Sequence, residues 1–372
     1  MIFQSWRRKG SWLFQKKIQA KNNILSFLRP HYIAPSKSHI IIFILLLFIF
    51  FRCQPPGTHG TGQPPDSTAN SNSRIQLAGI KIGYCTPSLN APFYVVLSQY
   101  LKRYAEGYGM HFTMADGQDD IIKQITSMED MITSGIKILI LNPLDHKALV
   151  PAVNGAAGSG IPVFIVDSQI DPSANYITSV QASNEMNGQL IGEWAVNTMG
   201  IPDIKVALIS GSQGNPVGQA KRLGFIEGFA EAQLRTKGYS ALNIVSQGWG
   251  NWTLLGGMEA MEDILTAHPD VNLLIAENDA MAMGALKAIS EAGKAGHILI
   301  AGYDGQKEAY ELIREGKYGA TAVNSPEQLA RLTIESVVKY LNGKRLDKII
   351  HTPAILVTQV NVDSYYDPKA IF

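Results

Sequence analysis

Short apolar runs alternate with amphipathic stretches from about residue 74 to the end of the chain. Runs at 77–85, 110–115, 137–141 and 162–166 have the aliphatic, β-branched character of strands buried on both faces. A second series begins afresh near residue 205, with runs at 206–210, 243–246, 272–276, 298–302 and 319–323. Helical spacing fills the intervals in the first series, from about residue 91, at 119–133 and from residue 145. In the second series it does so at about 216–236, 253–267, 279–292, 307–315 and 327–342. Over 119–133, Ile121, Ile122, Ile125, Met128 and Ile132 fall on one face, and Gly135 follows as a stop. His268-Pro269 ends the helix over 253–267. This alternation predicts βαβ units, and two such series in succession predict an α/β fold of two doubly wound, parallel-sheet lobes.

The amino-terminal segment follows different rules. Residues 40–51, IIIFILLLFIFF, form an unbroken apolar run of twelve. A spanning helix needs about 20 such residues, whereas the core of an export signal needs about 7–15. Arg7, Arg8, Lys9, Lys16, Lys17, Lys21, Arg29 and Lys37 precede the run, with no acidic residue among them. Residues 1–53 therefore read as an export signal or a retained membrane anchor. A buried core helix is the other reading, but the polar, proline-rich stretch that follows offers nothing to pack on. Cys53 stands where a lipidated cysteine could stand, although Phe51 and Arg52 occupy positions where a lipobox has small residues. Membrane attachment is thus expected through 40–51 or through lipidated Cys53. Residues 54–73, QPPGTHGTGQPPDSTANSNS, lack any large apolar side chain and read as a flexible tether.

The overall charge of +1 hides an asymmetry. From residue 54 onward 23 basic residues face 31 acidic ones, so the body is acidic and a poor partner for nucleic acid. Beyond Cys53 the one other cysteine is Cys85, expected to be a small buried hydrophobe without a disulfide.

Candidate chemistry gathers where strands end. Asn142, Asp167, Asn278 and Asp304 each follow an apolar run, and ligands of open parallel sheets bind beyond the carboxyl ends of strands. A carboxylate can accept hydrogen bonds from two neighbouring hydroxyls, and an amide can both donate and accept. Asp279 is expected to cap its helix, leaving Asn278 free for ligand. Phe93, Tyr94 and Trp252 supply flat apolar surfaces that suit the C–H faces of a sugar ring. Each residue alone has an ordinary alternative, as cap or core, and their joint placement favours a site. Phosphate-binding, zinc-protease, C-x-x-C and nucleophile-elbow motifs are absent, and the eight histidines lack metal-ligand spacing. No cofactor, no metal and no catalytic residue are expected. Paired carboxylates can hydrolyse glycosides, and that enzymatic alternative is the weaker reading.

At this point the chain resembles the type I periplasmic sugar-binding proteins of the ribose, allose and galactofuranose group. The resemblance spans about residues 75–360. It rests on SLNAPFY (88–94), ADGQ (115–118), ILILNPLD (138–145), IPVFIVDS (161–168), LTAHPDVNLLIAENDAMAMGAL (265–286), AGYDG (301–305) and GATAVNSPEQ (319–328). It implies two lobes, 74–182 plus 325–352 and 183–324 plus 353–372, joined by three crossings near Ser183, Asn324 and Pro353. It implies sugar contacts at Phe93, Tyr94, Asn142, Asp167, Trp252, Asn278, Asp304 and Asn324. Two departures are informative. Ser168 stands where ribose binders have an arginine, and Gln219 aligns with a second ligand arginine. With Ala91 in place of an asparagine and Asn324 in place of the hinge glutamine, these changes argue against ribose and for a less basic pocket suited to a hexose, sugar alcohol or cyclitol. The implied role is the extracytoplasmic sugar-binding component of an ABC importer, a monomer that hands its ligand to a membrane permease from the periplasm or the outer face of the cytoplasmic membrane. A sensory binder that presents ligand to a membrane receptor is the alternative. The effector core of a repressor would need an amino-terminal helix-turn-helix, and residues 1–73 offer an apolar run and a tether instead.

Overall fold

β-strands in two six-stranded sheets carry the computed structural model of this chain, which describes residues 77–372. The expected leader over 1–53, its apolar run 40–51, Cys53 and the tether over 54–73 lie outside the described residues.

The first sheet comprises β1 (Lys81–Thr86), β2 (His111–Asp116), β3 (Ile138–Leu141), β4 (Val163–Val166), β5 (Ser179–Ala182) and β11 (Ile349–Thr352), in the order β11-β5-β4-β3-β1-β2. The second comprises β6 (Lys205–Ser210), β7 (Asn243–Trp249), β8 (Leu273–Ala276), β9 (Leu299–Asp304), β10 (Ala320–Val323) and β12 (Leu356–Thr358), in the order β12-β10-β9-β8-β6-β7. The two orders repeat each other, and all neighbours are parallel except β12 on β10. Central strands β3, β4, β8 and β10 are buried at every residue, because helices cover both faces. Alternation then sorts side chains between layers. Ile138 and Ile140 join one core of the first lobe, and Leu139 and Leu141 join the other.

The helices are α1 (Pro92–Gly107), α2 (Ile121–Thr133), α3 (Val150–Gly158), α4 (Asn184–Met199), α5 (Pro216–Lys237), α6 (Leu254–Ala267), α7 (Asp279–Glu291), α8 (Lys307–Arg314) and α9 (Pro326–Leu341). Their starts are encoded locally. Asp120, Asn215, Thr253, Asn278 and Ser325 each accept hydrogen bonds from backbone N–H groups of the first turn, and Pro92, Pro216 and Pro326 sit where no N–H is needed. The chain passes between sheets three times, between Ala182 and Asn184, between Val323 and Pro326, and between Thr352 and Leu356. Ser183, Asn324 and Pro353 lie in those segments.

Some elements depart from the periodicity reading. The strand expected from residue 77 begins at Lys81, after a single turn at Leu77. The helix expected from residue 145 begins at Val150, with Asp145 closing the preceding turn by accepting from Lys147 N and Ala148 N. Strand β5 and helix α4 were not expected at all. The buried face of α4 is Asn184, Asn187, Gly188, Ile191, Gly192, Ala195 and Val196, too small and polar to show an apolar stripe. Those glycines serve a close approach to α5. A methyl at Gly188 would overlap the Lys221 carbonyl and Phe225 N, and one at Gly192 would overlap the Phe225 carbonyl and Phe229 N. Gly188→Ala is therefore expected to force the helices apart and cost about 1–3 kcal/mol of stability, read as a lower denaturation midpoint at unchanged slope.

Cys85 is buried and free, and its thiol donates to the Gln124 carbonyl at 3.7 Å. Among the described residues no helix is long and apolar enough to cross a membrane.

Candidate functional site

The strand ends of the two sheets face a shared cavity of about 620 Å³. Ser88, Asn90, Phe93, Tyr94, Asp167 and Ser168 line it from the first lobe, Lys221, Trp252, Asn278 and Asp304 from the second, and Asn324 from a crossing segment. The duplicated sheet order puts a topological switch point in each lobe at this cavity, where open α/β sheets bind ligands.

Asp167 follows β4 and is 7 % exposed. Its Oδ2 accepts from Asn142 Nδ2 at 3.0 Å and its Oδ1 from Asn324 Nδ2 at 3.4 Å. Burial raises its carboxyl above the usual range, opposed by Asn142, by the Lys221 charge and by Asn324. Asn324 Oδ1 is buried without a partner, so the cavity wall holds an acceptor that a ligand hydroxyl would satisfy.

Asp304 ends β9 and is 4 % exposed. Burial pushes its carboxyl up to about 8, against the pull of Lys221 and with the push of Asp279 and Asp167. Lys221 Nζ lies 3.5 Å from Asp304 Oδ1, donates to the Glu277 carbonyl at 2.8 Å, and sits over the rings of Tyr303 at 4.9 Å and Trp252 at 5.6 Å. A buried ammonium thus pairs directly with Asp304, lies over two aromatic rings, and acts through its charge on Asp167 as well.

Behind this layer a second set of groups holds the first in place. Asp279 is fully buried and accepts from Gly305 N at 2.8 Å, Gln306 N at 2.9 Å, Thr321 Oγ1 at 2.9 Å and Tyr318 Oη at 2.7 Å. It fixes the turn that carries Asp304. Glu277 accepts from Gly211 N at 2.7 Å and pairs with Arg222. Gly211 has no side chain because the Trp252 indole lies where one would be. Asn278 donates from Nδ2 to the Trp252 carbonyl at 3.0 Å and accepts from Met281 N at 2.9 Å.

Six described residues other than glycine have positive φ: Gln118, Asp119, Asp167, Asn251, Trp252 and Asp304. All but Gln118 line the cavity. Such conformations cost about 1–3 kcal/mol each where the residue tolerates them poorly, and they persist where surrounding structure dictates them. Asp304, at φ 110°, is the furthest from the ordinary left-handed region. The strained backbone gathers at the candidate site.

Several expectations need correction. Asn142 is fully buried and off the cavity wall. It donates to Asp167 and accepts from Ser168 N at 3.2 Å, so both ends of its amide are spent on the turn after β4. Gln219 is exposed on α5 and off the wall as well. Lys221, two residues later, turns inward instead. Asn278, not Asp279, caps α7, so both ends of the Asn278 amide already have protein partners. The pocket expected to be less basic contains one lysine that the strand-end rule missed. Its signal lay in helical spacing, since Val217, Lys221, Gly224 and Gly228 share the buried face of α5.

The raised Asp304 carboxyl fixes the sign of a pH effect. Its folded value of about 8 exceeds its ordinary value of 3.8. Its contribution to the stability of the empty protein is therefore full below pH 3.8 and is lost as pH rises through 8. A ligand hydroxyl that donates to the carboxylate favours the ionised form. Affinity is expected to rise by up to about tenfold per unit between pH 6 and 8, with a proton released on binding. Titration calorimetry in buffers of different ionisation enthalpy reads that proton.

Comparison with known proteins follows the same lines. Residues 82–345 match the periplasmic binding protein domain family. The chain is 31% identical over 323 residues to the ribose import binding protein of Bacillus subtilis, covering 87% of this chain and 99% of that one. It resembles an ABC transporter solute-binding protein from Mycobacterium smegmatis, solved with bound glycerol, at a TM-score of 0.72 and 31% identity, over 78% of this chain and 98% of that one. A solute-binding protein from Actinobacillus succinogenes, solved with bound D-allose, superposes at a TM-score of 0.70 and 26% identity, over 77% of this chain and 99% of that one. These relatives are binding proteins rather than enzymes. The chain belongs to the periplasmic binding protein family, within its type I sugar-binding group.

Proposed function

We propose that this protein captures a neutral sugar or polyol between its lobes outside the cytoplasm and delivers it to an ABC permease in the membrane. One observation carries the reading. The shared cavity offers acceptors to both sides of a guest, at Asp167, Asp304 and the unpartnered Asn324 Oδ1, beside the apolar surfaces of Phe93, Tyr94 and Trp252. A hydroxyl-rich ring supplies the donors and the C–H faces that such a wall needs. Relatives named for ribose or solved with D-allose and glycerol support the ligand class. Lys221 is already committed to Glu277 and Asp304, so it leaves little for a carboxylate or phosphate on the ligand. With Ser168 on the cavity wall where the resemblance to ribose binders implies an arginine, a hexose, sugar alcohol or cyclitol is favoured over ribose.

In this proposal Phe93, Tyr94, Asp167, Ser168, Trp252, Asp304 and Asn324 touch the ligand, while Asn142 and Asn278 hold Asp167 and Trp252. The moving bodies are 74–182 with 325–352 and 183–324 with 353–372, turning about the three crossings. Contacts completed only when the lobes meet drive closure. The protein acts as an exported monomer in the periplasm or at the outer face of the cytoplasmic membrane.

A thermal-shift screen of residues 74–372 against pentoses, hexoses, sugar alcohols and cyclitols tests the ligand class. At 100 times its dissociation constant a cognate ligand adds about 2.7 kcal/mol of stability, a shift of several degrees. A response to amino acids or organic acids, with none to polyols, would overturn the assignment. Stimulation of a reconstituted permease's ATPase by the sugar-loaded protein, and not by the empty one, tests the partner.

A further inference from the structure

The last seven residues leave the second lobe and finish against the first. Upstream of them, β12 pairs with β10, and Val362 is buried in a second-lobe core. Tyr366 Oη donates to Glu311 Oε1 at 2.9 Å, and the Arg314 guanidinium lies 4.7 Å from the Tyr366 ring. Lys307 Nζ donates to the Ala370 carbonyl at 3.2 Å. Two residues on, the Phe372 ring stands edge-on to Phe93, with centroids 5.7 Å apart and planes at 79°. Phe93 in turn meets Tyr94 edge-on at 6.0 Å, and both line the cavity.

This segment bridges the lobes outside the three covalent crossings, and its two ends differ in kind. On the second lobe it continues from a sheet pairing and a buried valine, and adds a hydroxyl bond, a guanidinium over a ring and an ammonium on a carbonyl. On the first lobe it offers one half-buried ring, set on Phe93 and its neighbours. Between the ends, Asp367, Pro368, Lys369 and Ile371 are exposed, and the segment has no helix or strand to stiffen it. The single ring contact is the weaker end of such a link.

We propose that residues 366–372 form a closure strap, anchored on the second lobe, that seats Phe372 on Phe93 as the lobes come together. The strap favours the closed arrangement and orients a ring of the cavity wall at the same moment. It rests on the lobes moving relative to one another, and not on which sugar they hold. An edge-on aromatic contact shifts such an equilibrium by about two- to tenfold.

The test is the distance between nitroxides on Lys123→Cys and Glu259→Cys, in the full Cys53→Ser chain in detergent, measured by double electron–electron resonance without added sugar. Phe372→Ala is expected to move population toward longer distances, and Phe372→Tyr to preserve the parent distribution. Freeing the other end with Lys307→Ala and Tyr366→Ala together is expected to lengthen the distances as well. If Phe372→Ala and the anchor variant both match the parent while D-allose or ribose shortens the parent's distance, the strap is overturned and the closing lobes stand. If neither sugar nor variant moves the distance, the strap fails together with the closing-lobe reading.

Discussion

Asp304→Ala is expected to abolish measurable sugar binding while leaving a folded protein. Asp304 sits at the end of β9 with one oxygen 3.5 Å from Lys221, and it lines the cavity. Hydrogen bonds to a charged group contribute about 1.5–3 kcal/mol each, and two adjacent hydroxyls on one carboxylate amount to a loss of at least about 100-fold when both go. Ligand hydroxyls left without acceptors in a closed, dry cleft add to that loss. Alanine also removes the strain of a carboxylate-bearing residue at φ 110° only in part, since any side chain is strained there. Asp304→Asn keeps the shape and isolates the charge. Titration calorimetry with the sugar that answers the thermal screen decides the matter, and an unchanged dissociation constant in either variant refutes the placement of the site.

Lys221→Met is expected to damage both stability and binding, and to do so increasingly as pH rises. The lysine is 2 % exposed and is the cation that Asp167 and Asp304 share. Breaking a buried charge pair by removing one partner costs about 3–5 kcal/mol. Here the orphaned carboxyl can take up a proton instead, which softens the cost in acid and restores it in base. Denaturation midpoints for the variant are therefore expected to fall further below the parent at pH 8.5 than at pH 5. Adding Asp304→Asn to Lys221→Met is expected to recover much of the lost stability but none of the binding. That recovery is the coupling a double-mutant cycle measures. A pH-independent loss would mean that the lysine matters as packing along α5 rather than as charge.

Much of the architecture was readable from the chain because strands buried on both faces leave unbroken apolar runs. Val163–Val166 and Leu273–Ala276 are such runs, and the polar residues that follow them reach the cleft or its supports. The reading failed where a buried face is not made of large apolar groups. Helix α4 packs on α5 through Gly188 and Gly192 and keeps two asparagines inside, so hydrophobic periodicity is silent there. Lys221 escaped for a related reason, because a lysine on an inward face reads as an outward one until its partners are known. The roles of Asn278 and Asp279 were exchanged because both can cap a helix. Their division of labour depends on Gly305 and Gln306, which lie about 26 residues away in sequence and bind Asp279. Asn142 looked like a ligand group by position alone, and its bond to Asp167 is a property of the folded chain.

The glycine-mediated contact between α4 and α5 has a mechanical outcome. Helix α4 begins directly after the first crossing, and α5 carries Lys221 on the adjoining face. Interlocked backbones transmit torque without the slack of long side chains. If the lobes turn about the three crossings as proposed, rotation at Ser183 is expected to carry α5 and its Lys221 along with α4, so that the second lobe moves as one stiff body. Each half of the molecule should superpose on itself between empty and loaded crystals, with the change concentrated in three short stretches of chain.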